Sequence, residues 1–317
     1  MLDDLKFVSG AIAKKDYVPT MKHFLIRNST VRAYNGIITL NSPIALDINC
    51  QPLADPMMRA IINCAETVNL SLTPANRLKI QSGKFKAFVD CTTSEVPDIV
   101  PDGDEVQLGG IEIVKIFKQL FPIIGTDASR PWVNGIYINN KSCYVTNNAI
   151  ICQYWLGIDL PAINIPREAI KEIIRIGTEP CSVRVTTSSI TFMYDSGRWI
   201  RTKLIDGGWP NIEALLSVPS TQIEVDPELF KAIDSVEDFC EKIGIIHFSE
   251  GIIHTHTDLE VGGRYDLQTM TTRGAYNVNM VKLLQGIVKT IDWSLYPKPC
   301  IFYGDNIRGA IIGMKAV

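Results

Sequence analysis

A short pattern occurs three times along the 317-residue chain, at intervals of about 110 residues. In each copy an apolar strand is followed by a helix-starting residue and then by an amphipathic helix. Proline suits the first helical turn and asparagine suits the cap position. The three copies begin at Pro56, Pro166 and Asn277. A threefold repeat of this kind predicts three similar modules joined in one chain.

A second marker closes the first two copies, at Val96-Pro97-Asp98-Ile99 and Trp209-Pro210-Asn211-Ile212. Between the markers, alternating apolar and polar residues predict strands, and apolar residues spaced three and four apart predict helices. We therefore predict an α+β fold of three repeated modules, each with two helices packed on antiparallel sheet. The predicted modules span 1–107, 108–219 and 220–317, and the predicted helices span about 2–15, 56–66, 111–121, 166–176, 227–242 and 277–290.

Composition and charge limit the possible functions. With 46% hydrophobic and 21% charged residues, the chain is neither disordered nor fibrous. A net charge of −3 excludes a generally basic nucleic-acid binder. The predicted helices, however, carry thirteen Lys and Arg against eleven Asp and Glu, so positive charge is slightly concentrated on them. The acidic start and the lack of a membrane-length apolar run predict a cytoplasmic protein.

No catalytic or metal-binding pattern stands out. The eight cysteines form no C-x-x-C pair and are predicted to be buried free thiols. The phosphate-binding loop, the nucleophile elbow and the zinc-protease helix motif are all missing. His254 and His256 would share one strand face, but no third ligand accompanies them, and Asp102 to Glu105 is expected to be a solvated linker. We predict no enzymatic activity, no catalytic residue, no metal and no cofactor.

Several segments, taken in order, resemble the bacterial-type DNA polymerase sliding clamp, the β processivity factor. They cover the whole chain and comprise Val8-Ser9-Gly10, Val133-Asn134-Gly135-Ile136, Tyr144-Val145-Thr146-Asn147-Asn148, Ile165-Pro166-Arg167, Gly208-Trp209-Pro210-Asn211-Ile212 and Tyr276-Asn277-Val278-Asn279. Two segments depart from the family pattern. Asn148-Ala149-Ile150-Ile151 lacks the usual His and Arg, and Met314-Lys315-Ala316-Val317 shortens the usual ending. The compact length suggests a phage or mobile-element version.

The resemblance implies a non-catalytic ring made of two chains joined head to tail. Its helices would line a hole around double-stranded DNA and contact phosphates without reading sequence. The implied partners are a DNA polymerase, a clamp loader and a second copy of the chain, with no membrane. The alternative is a structural ring or viral assembly protein built from duplicated α+β modules.

The resemblance and the predicted helices also indicate candidate site residues. Each basic residue could equally be an ordinary solvated charge, and Trp132 could equally be a packing residue. The predicted DNA-binding residues are Lys14, Lys15, Arg59, Lys115, Lys118, Trp132, Arg167, Lys171, Arg175, Lys231 and Lys282. The predicted partner-peptide groove comprises Val133, Thr146, Asn148, Ile150, Leu216, Val218, Pro219, Ile312 and Met314. The predicted dimer contacts are Phe85 and Phe88 on one side and Phe239 on the other.

Overall fold

Short helices alternate with groups of antiparallel strands along the chain. The computed structural model describes residues 1–15, 18–65 and 67–315. Within these residues, no helix is long and apolar enough to cross a lipid bilayer. The α-helices are Leu2–Val8 (α1), Ala54–Ile62 (α2), Ile113–Leu120 (α3), Arg167–Ile176 (α4), Glu213–Leu216 (α5), Leu229–Val236 (α6) and Val278–Lys282 (α7).

The strands are also short and are listed here in chain order. They are Leu25–Arg27 (β1), Thr30–Tyr34 (β2), Ile38–Pro43 (β3), Asn69–Leu72 (β4), Arg77–Ser82 (β5), Phe85–Asp90 (β6), Asp104–Gln107 (β7), Gly135–Asn139 (β8), Ser142–Thr146 (β9), Ile150–Trp155 (β10), Ile163–Pro166 (β11), Ser182–Val185 (β12), Ser189–Met193 (β13), Trp199–Lys203 (β14), Ile245–Ser249 (β15), Ile252–His254 (β16), Arg264–Asp266 (β17), Gly274–Asn277 (β18), Thr290–Ile291 (β19), Cys300–Gly304 (β20) and Ile307–Ile311 (β21).

The first of two compact units comprises Met1–Lys115 and Ile165–Leu204. Its larger sheet has the strand order β1-β2-β3-β14-β13-β12-β7, and a smaller sheet has the order β4-β5-β6. Strand β3 pairs antiparallel with β14, with Leu40 opposite Ile200. Both residues are fully buried. The core of this unit therefore depends on strands from the first and second predicted modules together.

The second compact unit comprises Ile116–Asn164 and Ile205–Val317. Its larger sheet has the order β11-β8-β9-β10-β21-β20-β19, and its smaller sheet has the order β17-β16-β15-β18. Strand β10 pairs antiparallel with β21, with Cys152 opposite Gly309. The aromatic side chains of Phe248, Tyr276 and Phe302 are fully buried in this unit.

The predicted order of elements is confirmed, with two principal helices for each repeat: α1 and α2, α3 and α4, and α6 and α7. The predicted hairpins are also present, as in the pairing of β8 with β9 across Asn140 and Lys141. Both turn residues have positive φ, the conformation that a two-residue hairpin turn requires. The module boundaries stay a prediction, because the two compact units are divided at other places along the chain.

Three helices are shorter than their sequence patterns predicted. The first α-helix ends at Val8 and continues only as a 3-10 turn to Ala11, because Ile12 is already extended. The helix expected to reach residue 242 ends at Val236, followed by a 3-10 turn to Phe239. The last helix ends at Lys282 instead of continuing to 290, and Gly286 has a φ of 73°, which a right-handed helix excludes.

Helix α4 shows why these sequences form amphipathic helices. Ala169, Ile170 and Ile173 are fully buried, and Lys171 and Arg175 lie one turn apart on the exposed side. Pro166 occupies the N-cap position, and Gly177 ends the helix in the left-handed conformation with a φ of 71°. The pattern thus buries one apolar stripe and leaves a basic stripe accessible.

The cysteines are free thiols, as predicted, although only half of them are buried. Cys50, Cys143, Cys152 and Cys300 are buried, and the other four are partly exposed. Burial raises the pKa of the Cys143 thiol to about 12, so this thiol stays protonated at neutral pH.

Gly309 provides a test of the sheet that contains β10 and β21. A Cβ atom at this position would lie 2.5 Å from the carbonyl oxygen of Ile151 and 2.3 Å from Cζ of Phe302. Replacing Gly309 by Ala should lower the free energy of unfolding by about 2 kcal/mol, since overpacking forces the strands apart. Chemical denaturation with urea measures the change.

The matched control is Gly208→Ala, because nothing lies within 4 Å of a Cβ atom there. This control should change the free energy of unfolding by less than about 0.5 kcal/mol. Equal stabilities of the two variants would contradict the close approach of β10, β20 and β21.

Candidate functional sites

The exposed side of α4 carries the clearest row of positive charge. Arg167, Lys171 and Arg175 follow one another at intervals of four residues, so they lie along one side of the helix. Lys171 is exposed and takes part in no salt bridge among the described residues. Arg175 is held differently, since it donates to Oε1 of Glu172 and to the carbonyl oxygen of Phe7 at 2.9 Å. Lys171 is therefore better placed than Arg175 to bind an external phosphate.

A second group of cations surrounds a cleft between the end of α1 and the start of α2. The cleft has a volume of about 480 Å³, and its lining includes Lys14, Lys22, Arg59 and one carboxylate, Asp55. Lys14 and Arg59 are exposed. Lys22 was not among the predicted residues. Lys22 is the last residue of a 3-10 turn that begins at Pro19, and this proline is the sequence signal that could have indicated it.

Helix α3 presents two further predicted residues. Lys115 and Lys118 are both exposed. Lys115 donates to Glu112 at 2.7 Å, with both side chains more than 60% exposed. An exposed pair of this kind contributes little to stability and exchanges readily with other ions. Both lysines therefore remain accessible to a polyanion.

The predicted DNA-binding residues on α6 and α7, Lys231 and Lys282, are less available to bind a phosphate. Lys282 contacts Glu237 at 2.7 Å and Asp234 at 2.9 Å. The hydrogen bonds that Lys282 donates to these two carboxylates raise the pKa of its ammonium group. Lys231 lies 3.7 Å from Glu228. Acidic side chains thus neutralise this part of the surface, and Lys282 is the least suitable of the predicted DNA contacts.

Trp132 has a packing role within the second unit. Its ring meets that of Trp209 edge-on at 5.3 Å, and its carbonyl oxygen accepts a hydrogen bond from Nδ2 of Asn164 at 2.9 Å. The following residue, Val133, is fully buried. Val133 is therefore closed off from solvent, whereas Trp132 stays partly exposed beside Trp209.

The residues predicted to form the partner-peptide groove lie around a buried apolar cluster on one side of the β10–β21 pair, and this region is called here the apolar groove. Leu216 packs on Ile151, Ile301 and Ala310, and the partly buried Val218 packs against the same cluster. Thr146 lies directly opposite Ile151 in the sheet. Glu213 and Leu216 belong to the same short helix, α5. The carboxylate of Glu213 attaches this helix to β21, because it accepts two hydrogen bonds from Arg308 at 2.8 and 2.9 Å. These bonds lower the pKa of Glu213, so the pair stays ionised at neutral pH.

Ile150, a predicted groove residue, lies on the opposite side of β10 from the cluster that contains Leu216. Successive side chains of a strand point to opposite sides, so Ile150 and Ile151 cannot both reach the apolar groove. Ile150 is 1% exposed, whereas Ile151 belongs to the cluster with Leu216. Ile151 lies directly opposite Thr146 in the pairing of β9 with β10 and packs with Leu216, so the strand pairing, and not the spacing along the chain, places it on this side.

The C-terminal segment lies beside the turn between β9 and β10. The amide of Ile312 donates to the carbonyl oxygen of Ala149 at 2.9 Å, and the amide of Met314 donates to that of Ala275 at 2.7 Å. Asn148 forms the turn with a φ of 72°. Ile312 is 49% exposed and directly follows β21. It lies two residues after Ala310, so the two side chains point to the same side. The structure thus places Ile312 beside Ala149, next to Asn148, whereas the backbone of Met314 is bound by Ala275, and their role in a groove stays a prediction. Pro219 is exposed just beyond Val218.

Two sheet edges carry exposed apolar side chains. Strand β6 ends the smaller sheet of the first unit, and β17 ends the smaller sheet of the second unit. Phe88 on β6 is 57% exposed, and Phe239, which is 59% exposed, packs beside Gly263 next to β17.

The side chains at these edges differ in direction and exposure. Phe85 and Phe88 lie on opposite sides of β6, because they are three residues apart on a strand, and Phe85 is half-buried. Their role as dimer contacts stays a prediction. Near β17, sequence reasoning missed Leu259 and Val261, which are also exposed.

Both ring nitrogens of His254 form hydrogen bonds within the protein. Nε2 of His254 lies 2.9 Å from Oγ of Ser249, and Nδ1 lies 2.7 Å from the carbonyl oxygen of His256. Among residues 1–15, 18–65 and 67–315, no group of three His, Cys, Asp or Glu side chains is arranged to hold a metal ion. The linker acids are also engaged, since Asp102 pairs with Arg201 and Glu105 pairs with Arg184.

Sequence comparison gives one weak similarity. No protein-family profile matches the chain. A protein of Rickettsia felis described as a beta sliding clamp is 20% identical over 264 residues, which are 75% of this chain and 69% of the relative.

Structural similarity is far more extensive. A DNA polymerase sliding clamp from Pseudomonas aeruginosa superimposes with a TM-score of 0.85 at 14% identity, covering 99% of this chain and 97% of the other. The beta subunit of DNA polymerase from Streptococcus pyogenes gives 0.79 at 17% identity, with the same coverage. A beta sliding clamp from Caulobacter crescentus gives 0.81 at 16% identity, again over 99% and 97% of the two chains.

These relatives are bacterial proteins, and a phage or mobile-element origin stays a prediction. The resemblance seen in the sequence motifs is confirmed at the level of the whole fold. The chain has the fold of the bacterial DNA polymerase sliding clamps.

Proposed function

We propose that this protein is a non-catalytic sliding clamp that encircles duplex DNA and tethers a DNA polymerase during replication in the cytoplasm. The observation that carries the proposal is the match to a sliding clamp over 99% of the chain with a TM-score of 0.85. A structural ring or viral assembly protein is the alternative, because such a protein could use the same repeated modules without stimulating DNA synthesis.

The proposed ring consists of two chains joined head to tail. In this arrangement the edge of β6 in one chain pairs with the edge of β17 in the other, so these two sheet edges are covered. A head-to-tail contact closes into a ring when its rotation returns to the starting chain. A separate ATP-driven loader would then be required to open the ring on DNA.

The proposed contacts with DNA are few, exposed and directed at phosphates. Lys14, Arg59 and Lys171 are exposed cations on or next to helices, and they come from separate segments of the chain. Such contacts are weakened by salt and carry no sequence information. Topology would hold the ring on DNA, and weak contacts would let it move.

Retention on circular DNA tests the function directly. After loading by the host's clamp loader, the protein should stay on nicked circular DNA at physiological salt and leave when a restriction enzyme linearises the circle. Gel filtration of labelled protein and DNA measures the bound fraction. Release at the same rate from circular and linear DNA would exclude a topological clamp.

Replacing Lys14, Arg59 and Lys171 together by alanine should weaken binding to a short duplex and reduce its dependence on salt. Each lost phosphate contact lowers the slope of log Kd against log salt by about 0.9. Fluorescence anisotropy at several salt concentrations measures this slope. The control Lys282→Ala should leave the slope unchanged, because Asp234 and Glu237 already neutralise that lysine. A triple variant with the wild-type slope would remove these residues from the interface.

Light scattering should give twice the chain mass of 35.3 kDa. A stable interface usually buries about 1,600 Å² in total, with a few apolar residues at its centre. Phe88→Glu or Phe239→Glu should therefore produce monomers at micromolar concentration. The control Trp155→Glu changes a similarly exposed side chain on β10, a strand of a different sheet, and should leave the dimer intact. A dimer that survives both phenylalanine variants would place the interface elsewhere.

Ile312→Asp and Met314→Asp should each abolish stimulation of the host replicative polymerase while leaving the dimer and the DNA retention intact. A charge placed in an apolar contact typically weakens binding about ten-fold or more. Primer-extension length measures stimulation. Ile223→Asp is the control, because Ile223 is similarly exposed but lies outside the apolar groove. Full processivity with both variants would show that the polymerase binds another surface.

A further inference from the structure

Helix α4 contains a buried carboxylate directly beside its basic stripe. The side chain of Glu172 is only 9% exposed, whereas that of Arg175, one turn further along the helix, is 45% exposed. Burying a carboxylate is costly even when it is paired and hydrogen-bonded. A neutral side chain of the same size could have filled this space without that cost. The charge of Glu172 therefore indicates a role beyond packing.

Two neighbours hold the carboxylate of Glu172 in place. Its Oε1 accepts hydrogen bonds from Nε of Arg175 at 2.8 Å and from Nη2 of the same residue. On the other side lies the 3-10 turn Ser9–Ala11, where a Cβ atom on Gly10 would be 1.8 Å from Oε1. A residue without a Cβ atom is therefore required for the backbone to approach the carboxylate so closely.

The same arrangement fixes the guanidinium of Arg175. Its Nη2 also donates to the carbonyl oxygen of Phe7 at 2.9 Å, so the guanidinium links α4 to α1. Within the described part of the chain, Nη1 is the one nitrogen of this guanidinium that forms no hydrogen bond. Its positive charge is neutralised by Glu172. Arg175 therefore offers a phosphate less than its place on the basic stripe predicts.

We propose that Glu172 is a positioning residue that holds Arg175 away from DNA and so limits the number of phosphates that α4 contacts. The inference rests on the proposed function, because it concerns the same DNA surface. A carboxylate suits this role, since it neutralises an arginine and accepts hydrogen bonds from its planar fork. A ring held on DNA by topology needs no tight contacts. Fewer phosphate contacts on each helix favour movement along the duplex.

The other charged residues of α4 provide the comparison. Lys171 lies on the same stripe as Arg175, is exposed and takes part in no salt bridge among the described residues. Glu168, the second acid of the helix, is also exposed and takes part in no salt bridge there. The helix thus contains one cation that is free to bind a phosphate, one that is held back, and one acid that holds nothing.

The salt dependence of duplex binding tests the proposal on the full chain. Glu172→Gln keeps the shape and an acceptor oxygen but removes the charge, so Arg175 should become available to a phosphate. The slope of log Kd against log salt should then become steeper by up to about 0.9, the value for one additional phosphate contact. Fluorescence anisotropy of a labelled short duplex at several salt concentrations measures the slope. Circular dichroism reports whether the variant is folded.

Two further variants assign the change to Arg175. Glu168→Gln is the matched control, because it removes the same charge from the same helix at an exposed position without a salt bridge among the described residues. Its slope should equal that of the wild-type protein. In the double variant Glu172→Gln with Arg175→Gln, the slope should return to the wild-type value. A steeper slope that persists in the double variant would mean that another cation makes the contact, and the inference would be wrong.

A second test does not depend on the stability of Glu172→Gln. In the wild-type background, Arg175→Gln should leave the slope unchanged, whereas Lys171→Gln should make it shallower by up to about 0.9. Equal effects of these two substitutions would overturn the inference, as would equal slopes for Glu172→Gln and Glu168→Gln. Either result would leave the proposed function intact, because retention on circular DNA is measured separately. A wild-type protein that is not retained on a circle would reject that function instead.

Discussion

Backbone pairing between strands that are distant in sequence is the constraint on which the rest of the structure depends. In one unit β3 pairs with β14, and in the other β10 pairs with β21. The second pairing leaves no room for a side chain at Gly309, where Ile151 and Phe302 approach closely. The same pairing positions Ile151 under Leu216 and attaches Ile312 beside Ala149. The apolar groove is thus a consequence of sheet register.

Local carboxylates decide which cations remain available for DNA. Lys282, on the short helix α7, is neutralised by two acids on or next to α6, whereas Lys171 on α4 has no salt bridge among the described residues. The nearby Arg175 is tied to Glu172 and to the backbone of α1. A net charge of −3 is therefore compatible with phosphate binding, because the acids are concentrated where they neutralise other positions. Weak contacts of this kind suit a protein that slides on DNA.

Much of the fold could be predicted from periodicity and turn residues. Helix α4 and the β8–β9 hairpin were predicted closely, since their apolar spacing and turn residues agree with the final structure. The ends of helices were less predictable. Helix α1 ends early, at Val8, and Gly10 in the 3-10 turn that follows lies against the carboxylate of Glu172, a contact that no local pattern reveals. Ile150 was chosen instead of Ile151 because the side of a strand that faces a groove depends on its pairing.

The sequence by itself determined the threefold order of elements, the basic stripe of α4 and the family resemblance, because these depend on spacing along the chain. Only the tertiary structure decided that Val133 and Trp132 are packing residues, that Lys282 is neutralised and that Phe85 and Phe88 lie on opposite sides of β6. It also brought the rings of Tyr137 and Tyr144 next to that of Trp209, about 70 residues further along the chain. The physical reason is that burial, ion pairing and clefts arise between segments that meet only when strands pair.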